Sequence, residues 1–254
     1  MDTHYHADYL AQKGNLQKGK MDVDGFVLTS YSRIGDLNQP LNIYIEGDGL
    51  AWLTRNELSL DPTPREAIGL ALASQDPAIN VVYLARPCQF NDFNQKPCDS
   101  AYWSNKRFSE KVILAMNQEL DSFIQKTNNQ EVNLIGYSGG AAVAVLLAAR
   151  RHNIASLRTV AGNLDTEFVN QYHKVDAMHE SLNPIDVANQ VSDIPQLHFV
   201  GTNDKVIPKA VAQHFIDQQQ SANCANIIEI QAEHQKNWEE RWRSLLQMSC
   251  YCKN

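Results

Sequence analysis

Long apolar runs are missing from this chain. No segment approaches the roughly 20 residues that span a bilayer as a helix, so no transmembrane segment is expected. Basic clusters are missing as well. The formal net charge is −7 and is spread along the chain; without a basic stripe there is no electrostatic footprint for nucleic acid. No Gly-x-Gly-x-x-Gly follows the first strand and no Walker sequence occurs, so no nucleotide cofactor is expected. The N-terminus lacks the charged-then-apolar pattern of a secretory signal. Cysteine is sparse, and five is an odd count, too few for a disulfide-dependent scaffold. Cys88 and Cys98 bracket a loop of Asn, Asp, Gln and Pro that would accept one bridge in an oxidising compartment. Cys224 would then pair with Cys250 or Cys252; the alternative is five free thiols. Cys250-x-Cys252 has no companions at metal-ligand spacing. His4 and His6, near a terminus, read as a solvated pair, so no metal is expected.

What is present centres on Val132 to Arg150. An apolar run ends in Gly136-Tyr137-Ser138-Gly139-Gly140, and an Ala-rich segment follows whose composition suits a buried helix. Strand, glycine-flanked serine, helix is the context that a G-x-S-x-G nucleophile elbow requires. Ser138 would sit in a strained turn with its hydroxyl pushed out at the strand's end. Gly136 and Gly140 would let strand and helix pass closely. The Gly139 N–H, at the helix start, would help hold a developing oxyanion. The competing reading is a glycine-rich turn with an incidental serine, so a base, an acid and a second oxyanion donor must be found elsewhere.

The 254 residues suit one sizeable core, with roughly three quarters of the chain's surface buried on folding. After a polar start with a helical patch at 7–12, residues 25–31 read as the first clear strand and 41–46 as the second. The second ends in Gly47-Asp48-Gly49, where the glycines allow backbone amides to turn inward. Asp48, Gly49 or Leu50 would supply the second oxyanion donor. Asp61-Pro62-Thr63-Pro64 is a helix-start signature for an apolar helix over 65–74. Strands are expected at 79–85, 131–137, 155–162, 196–201 and 226–231, and helices at about 110–125, 139–150, 209–218 and 236–248. Residues 163–195 carry no strand signal and read as a small cap insertion after the strand at 155–162. Alternating strands and helices argue for a mostly parallel central sheet flanked by helices.

A serine hydroxyl needs a base at neutral pH, and histidine suits that task. His234 falls just beyond the last strand, where a short loop would aim it at the strand ends; His198 lies inside a strand. His152, His173, His179 and His214 lie in helices or in the cap segment. A carboxylate must then orient the imidazole. Asp204, in the turn after the 196–201 strand, is the leading acid, and Asp165, after the preceding strand, is the runner-up. Each also has a simpler reading as a turn or helix-capping aspartate.

The elbow, the Gly201-to-Pro208 turn and His234, in this order on an alternating chain, resemble the α/β-hydrolase superfamily. More narrowly, Tyr44-Ile45-Glu46-Gly47-Asp48-Gly49, Asp61-Pro62-Thr63-Pro64, Tyr83-Leu84-Ala85-Arg86-Pro87-Cys88 and Ala161-Gly162-Asn163-Leu164-Asp165 look like blocks of a poorly characterised bacterial serine-hydrolase branch, some of whose members are exported or lipid-anchored. The resemblance covers about residues 25–250. It implies one α/β-hydrolase domain over 1–254 and a small-molecule acyl substrate, cleaved with Ser138 as nucleophile, His234 as base and Asp204 as acid. It implies no cofactor. Glu46 stands where such proteins often carry a histidine, which would place a negative charge near the pocket. A catalytically inactive binding protein is the alternative from another class. An acyltransferase, thioesterase or peptidase would use the same triad, because selectivity lives in the pocket and cap.

Overall fold

The structure is a computed structural model that describes residues 2–91 and 97–253. The middle of the expected Cys88–Cys98 loop, 92–96, lies outside the described residues.

In chain order the elements are α1 (Thr3–Lys13), β1 (Gln17–Val23), β2 (Phe26–Ile34), β3 (Leu41–Ile45), the short hairpin β4 (Trp52–Thr54) and β5 (Glu57–Leu58), and α2 (Ile68–Gln75). Then come β6 (Asn80–Leu84), α3 (Glu110–Ile124), β7 (Val132–Tyr137), α4 (Gly139–Ala148), β8 (Ile154–Val160) and α5 (Thr166–His173). The chain closes with β9 (Gln196–Gly201), α6 (Lys209–Asp217), β10 (Ala225–Ile230) and α7 (Glu239–Leu246).

Eight strands form one sheet in the order β1-β2-β6-β3-β7-β8-β9-β10. From β6 to β10 every pairing is parallel, and β2 joins β6 antiparallel. This is the α/β-hydrolase fold. Side chains alternate between its faces. Leu41, Ile43 and Ile45 face a core shared with α3, α4 and α6, whereas Tyr44, Tyr83 and Tyr137 face a second core shared with α1, α2 and α7. Burial on both sides explains why the central strands read as near-continuous apolar runs. Every residue of α4 is buried, as expected for a helix with no polar face.

The structure departs from the sequence reading in four places. Strand β1 precedes the segment expected to be first. Its sequence, Gln-Lys-Gly-Lys-Met-Asp-Val, is mostly exposed and lacks alternation, as suits an edge strand guarded by lysines. A two-residue Asp24-Gly25 turn with φ +51° and +85° joins it to β2, the left-handed pair that a tight hairpin demands. Helix α1 is longer than the expected patch. The β4–β5 hairpin follows the Gly47–Gly49 turn. Helix α2 begins at Ile68 instead of directly after Pro64: the Asp61 side chain accepts the Thr63 amide at 2.9 Å, and the cap of α2 comes from elsewhere.

Residues 163–195 contain α5 and a 3-10 stretch, Pro184–Val191, and no strand. Disulfides join Cys88 to Cys98 and Cys224 to Cys252. Among the described residues Cys250 is the free cysteine.

Candidate active site

Strand β7 ends at Tyr137 and α4 begins at Gly139, leaving Ser138 between them at φ +51°, ψ −119°. A residue with a β-carbon occupies such a conformation at a cost of about 1–3 kcal/mol. The surroundings hold it there. The Ser138 amide donates to the Val160 carbonyl (2.9 Å), and the Asn163 and Ala141 amides donate to the Ser138 carbonyl (3.0 and 3.1 Å). A Cβ on Gly136 would fall 2.5 Å from Ala141 Cα, and one on Gly140 would fall 2.2 Å from the Ile45 carbonyl oxygen. Only glycine at both positions lets α4 cross β7 and β3 this closely.

His234 and Asp204 meet this serine from the ends of the strands. His234 Nε2 lies 3.0 Å from Ser138 Oγ, and His234 Nδ1 lies 2.9 Å from Asp204 Oδ2. The Asp204 side chain is fully buried, and its other oxygen accepts the Val206 and Ile207 amides at 2.8 and 2.9 Å. A carboxylate on Nδ1 favours the tautomer with its proton there, leaving Nε2 to accept the serine proton. The backbone of the histidine is fixed too. Tyr137 Oη and Trp238 Nε1 both donate to the His234 carbonyl at 3.0 Å. Burial first, then the charges of Glu46, Asp204 and Asp48, push the Tyr137 phenol well above its ordinary pKa, so it stays a donor.

The amide side of the site is built from α4 and the turn after β3. Gly139 is the first residue of α4, so its N–H has no partner within the helix. Gly49 has φ +66°, and a Cβ there would strike the Pro62 carbonyl oxygen at 2.0 Å. The Leu50 amide donates to that same carbonyl at 3.0 Å, which removes Leu50 from the expected donors and leaves Asp48 and Gly49. The Gly47 carbonyl accepts Gln89 Nε2 at 2.9 Å.

Asp48 also contributes a side chain whose role the sequence did not suggest. Its two oxygens each lie 3.1 Å from a guanidinium, one from Arg86 and one from Arg107. Burial pulls the Arg86 pKa down, and Asp48 opposes that shift. These partners lie 38 and 59 residues from Asp48, so nothing in local sequence links them.

The Glu46 carboxyl, whose charge reaches Tyr137, is committed to neighbouring donors and does not stand free beside the pocket. Its carboxyl turns to the start of α2, accepting the Gly69 and Leu70 amides at 3.1 and 3.3 Å, the Gly47 amide at 2.9 Å and Tyr83 Oη at 3.0 Å. It is the long-range cap of α2, whose own N-cap residue, Ala67, offers no side-chain bond. Burial raises its pKa while these four bonds oppose the rise. The carboxylate that rests against Gly139 is that of Asp48.

The other candidates lie apart. Asp165 caps α5 through the Phe168 amide (3.1 Å) and contacts His214 Nδ1 at 2.7 Å, so the runner-up acid engages a different histidine. His198 is buried in β9 between Thr159 and Gln196. His173 meets the Val206 carbonyl, and His6 meets Glu66. Among the described residues no group of three or more side chains is arranged to hold a metal ion. A cavity of about 450 Å³ between α1 and β1–β2 contains none of the candidate site residues.

The model of the family described as Serine hydrolase (FSH1) matches residues 76–235, more than half of the chain and a span that includes Ser138, Asp204 and His234. No curated protein sequence matches. Among solved structures, an α/β serine hydrolase homologue from Coxiella burnetii shares 16% identity over 90% of this chain and 93% of its own, with a TM-score of 0.62. Est1E from Butyrivibrio proteoclasticus shares 16% identity over 91% of this chain and 96% of its own, with a TM-score of 0.62. The Pyrococcus furiosus esterase Pf2001 shares 12% over 92% and 91%, with a TM-score of 0.66. At these identities the likeness is one of fold.

Proposed function

The chain belongs to the serine hydrolase (FSH1) family, and from that premise we propose that it cleaves an ester-type acyl bond through an acyl-enzyme on Ser138. One observation carries the reading: an unbroken chain of contacts from Ser138 Oγ to His234 Nε2 (3.0 Å) and from His234 Nδ1 to Asp204 (2.9 Å).

In the first half-reaction Ser138 Oγ attacks the carbonyl carbon while its proton passes to His234 Nε2. Asp204 holds the ring and stabilises the imidazolium. The oxyanion points to the Gly139 N–H and to the amides of Asp48 and Gly49. As the intermediate collapses, His234 returns the proton to the departing alcohol. A water then repeats the sequence on the acyl-enzyme, releasing the acid and restoring Ser138. Every bond made and broken is accounted for by the serine, the substrate and water, and no step calls for a cofactor. Residues 163–195 act as the cap: Met178 Sδ lies 3.0 Å from Arg107 Nε, and the Leu182 amide donates to the Phe108 carbonyl at 3.0 Å.

The test is a fluorophosphonate probe together with p-nitrophenyl esters of increasing acyl length. The wild-type protein should turn over the short esters and take up one probe per chain, on Ser138. Ser138→Ala should do neither. A wild-type protein inert to both reagents would remove the esterase reading.

A further inference from the structure

The position of the Asp48 carboxylate poses a problem for an enzyme that gathers negative charge beside Gly139. A Cβ on Gly139 would lie 2.0 Å from Asp48 Oδ1 and 2.9 Å from Oδ2, so the carboxylate rests against the residue whose N–H meets the oxyanion. A bare carboxylate there would oppose the charge that develops in the transition state.

Two guanidiniums answer that charge. Arg86 Nη1 and Arg107 Nη1 take one carboxylate oxygen each, and their side chains are only 5% and 15% exposed, so solvent screens the pairs weakly. The two arginines are braced together. Arg86 Nη2 donates to the Arg107 carbonyl, and both guanidinium carbons stand over the Phe108 ring, 5.0 and 5.5 Å from its centroid. Arg86 comes from the end of β6 and Arg107 from the segment before α3. Through Asp48 they fasten the turn after β3 to two separate parts of the fold.

We propose that Arg86 and Arg107 are positioning residues for the oxyanion turn: they hold the Asp48 carboxylate so that it anchors the amides of residues 48 and 49, and they cancel the charge that would otherwise repel the oxyanion. The proposal rests on Ser138 being the nucleophile. It predicts a coupling that simple loss of an anchor would not give. With Arg107 neutralised, Asp48 Oδ2 loses its counter-charge while Oδ1 keeps Arg86, and removing the charge of the carboxylate as well restores activity.

The experiment compares Arg107→Gln, Asp48→Asn, the double variant and Arg107→Lys, with kcat and KM measured separately on one p-nitrophenyl ester and folding checked by thermal denaturation. Arg107→Gln should lower kcat about 10- to 100-fold with KM within about 3-fold of wild type, since the lost interaction is realised in the transition state. The double variant should be several-fold faster than Arg107→Gln, and Arg107→Lys should keep most of the wild-type kcat. The proposal is overturned if Arg107→Gln keeps the wild-type kcat, if the double variant is no faster than Arg107→Gln, or if the Lys variant is as slow as the Gln variant. An unfolded Arg107→Gln protein leaves the decision to Arg107→Lys and Asp48→Asn, whose kcat should fall less than 10-fold and with KM unchanged. Failure of the nucleophile reading would show separately, as wild-type turnover that survives Ser138→Ala.

Discussion

At the N-terminal ends of β3, β7 and β8 a ladder of polar side chains crosses the sheet. Asn42 donates to Asp76 (2.8 Å), Asn133 to Asn42 (2.9 Å), Ser156 to Asn133 (2.6 Å) and Arg158 to Ser156 (2.9 Å). The rungs follow register, because Asn42 pairs with Asn133 and Asn133 with Ser156 along the strands. Tyr44 Oη closes the ladder on Asp76 at 2.6 Å and accepts Trp242 Nε1. At the C-terminal ends of the same three strands the groups are arranged otherwise. Ser138 is held at positive φ, a carboxylate rests against a helix N-terminus, and the Gly139 amide has no helical partner. One end spends its polar groups on one another and gains rigidity. The other leaves donors uncommitted, and the rigidity behind it keeps a strained serine in place.

If the two ends divide stability from chemistry, variants at each should move one quantity and spare the other. The largest effect belongs to the site. His234→Ala should lower kcat/KM about 10⁴-fold and lower the urea midpoint only modestly, because Asp204 loses the ring but keeps the Val206 and Ile207 amides, and Tyr137 and Trp238 bind the carbonyl of residue 234. A large fall in stability would break the division.

His198 comes next. Burial depresses its pKa to about 4 from an ordinary 6.5, so the fold binds it neutral. Its contribution is complete above pH 6.5 and is lost as the pH falls from there towards 4, by about 3 kcal/mol in all. Urea midpoints between pH 7 and 4.5 should drop steeply in the wild type and less in His198→Gln.

Asn133→Ala removes a rung with a partner on either side. It should cost about 2 kcal/mol of unfolding free energy and leave kcat per folded molecule as it was. Smallest is Glu119 on α3, whose two buried oxygens meet no partner among the described residues. Burial raises its pKa well above the ordinary value. A raised acid contributes fully below its unfolded pKa and loses that contribution as the pH climbs. Glu119→Met should therefore stabilise the protein by about 1 kcal/mol at neutral pH, with a gain that widens from pH 5 to pH 8.

Much of the chemical end was legible because its signals are local. The elbow needs small residues at fixed offsets from Ser138, and the strand-end turns announce Asp204 and His234 as separate short motifs. Their order in the chain resembled a known superfamily; their meeting within 3.0 Å is a product of the fold. What stayed hidden depends on long-range contact. Asp61 looked like the cap of α2 because capping is usually local, yet Glu46 caps it from 23 residues upstream. β1 carries no apolar alternation, since an edge strand with most of its residues exposed has no need of one. Arg86 and Arg107 carry no motif at all, and only the fold brings both to Asp48.

The proposed reaction passes through a covalent bond between the acyl group and Ser138 Oγ. It is tested most directly by quenching the protein with acid during the first turnovers of a short p-nitrophenyl ester and locating the added acyl mass by peptide mass spectrometry. One acyl group should appear on the peptide that contains Ser138, and none in Ser138→Ala. An acyl group on any other residue, or hydrolysis undiminished in Ser138→Ala, would contradict it.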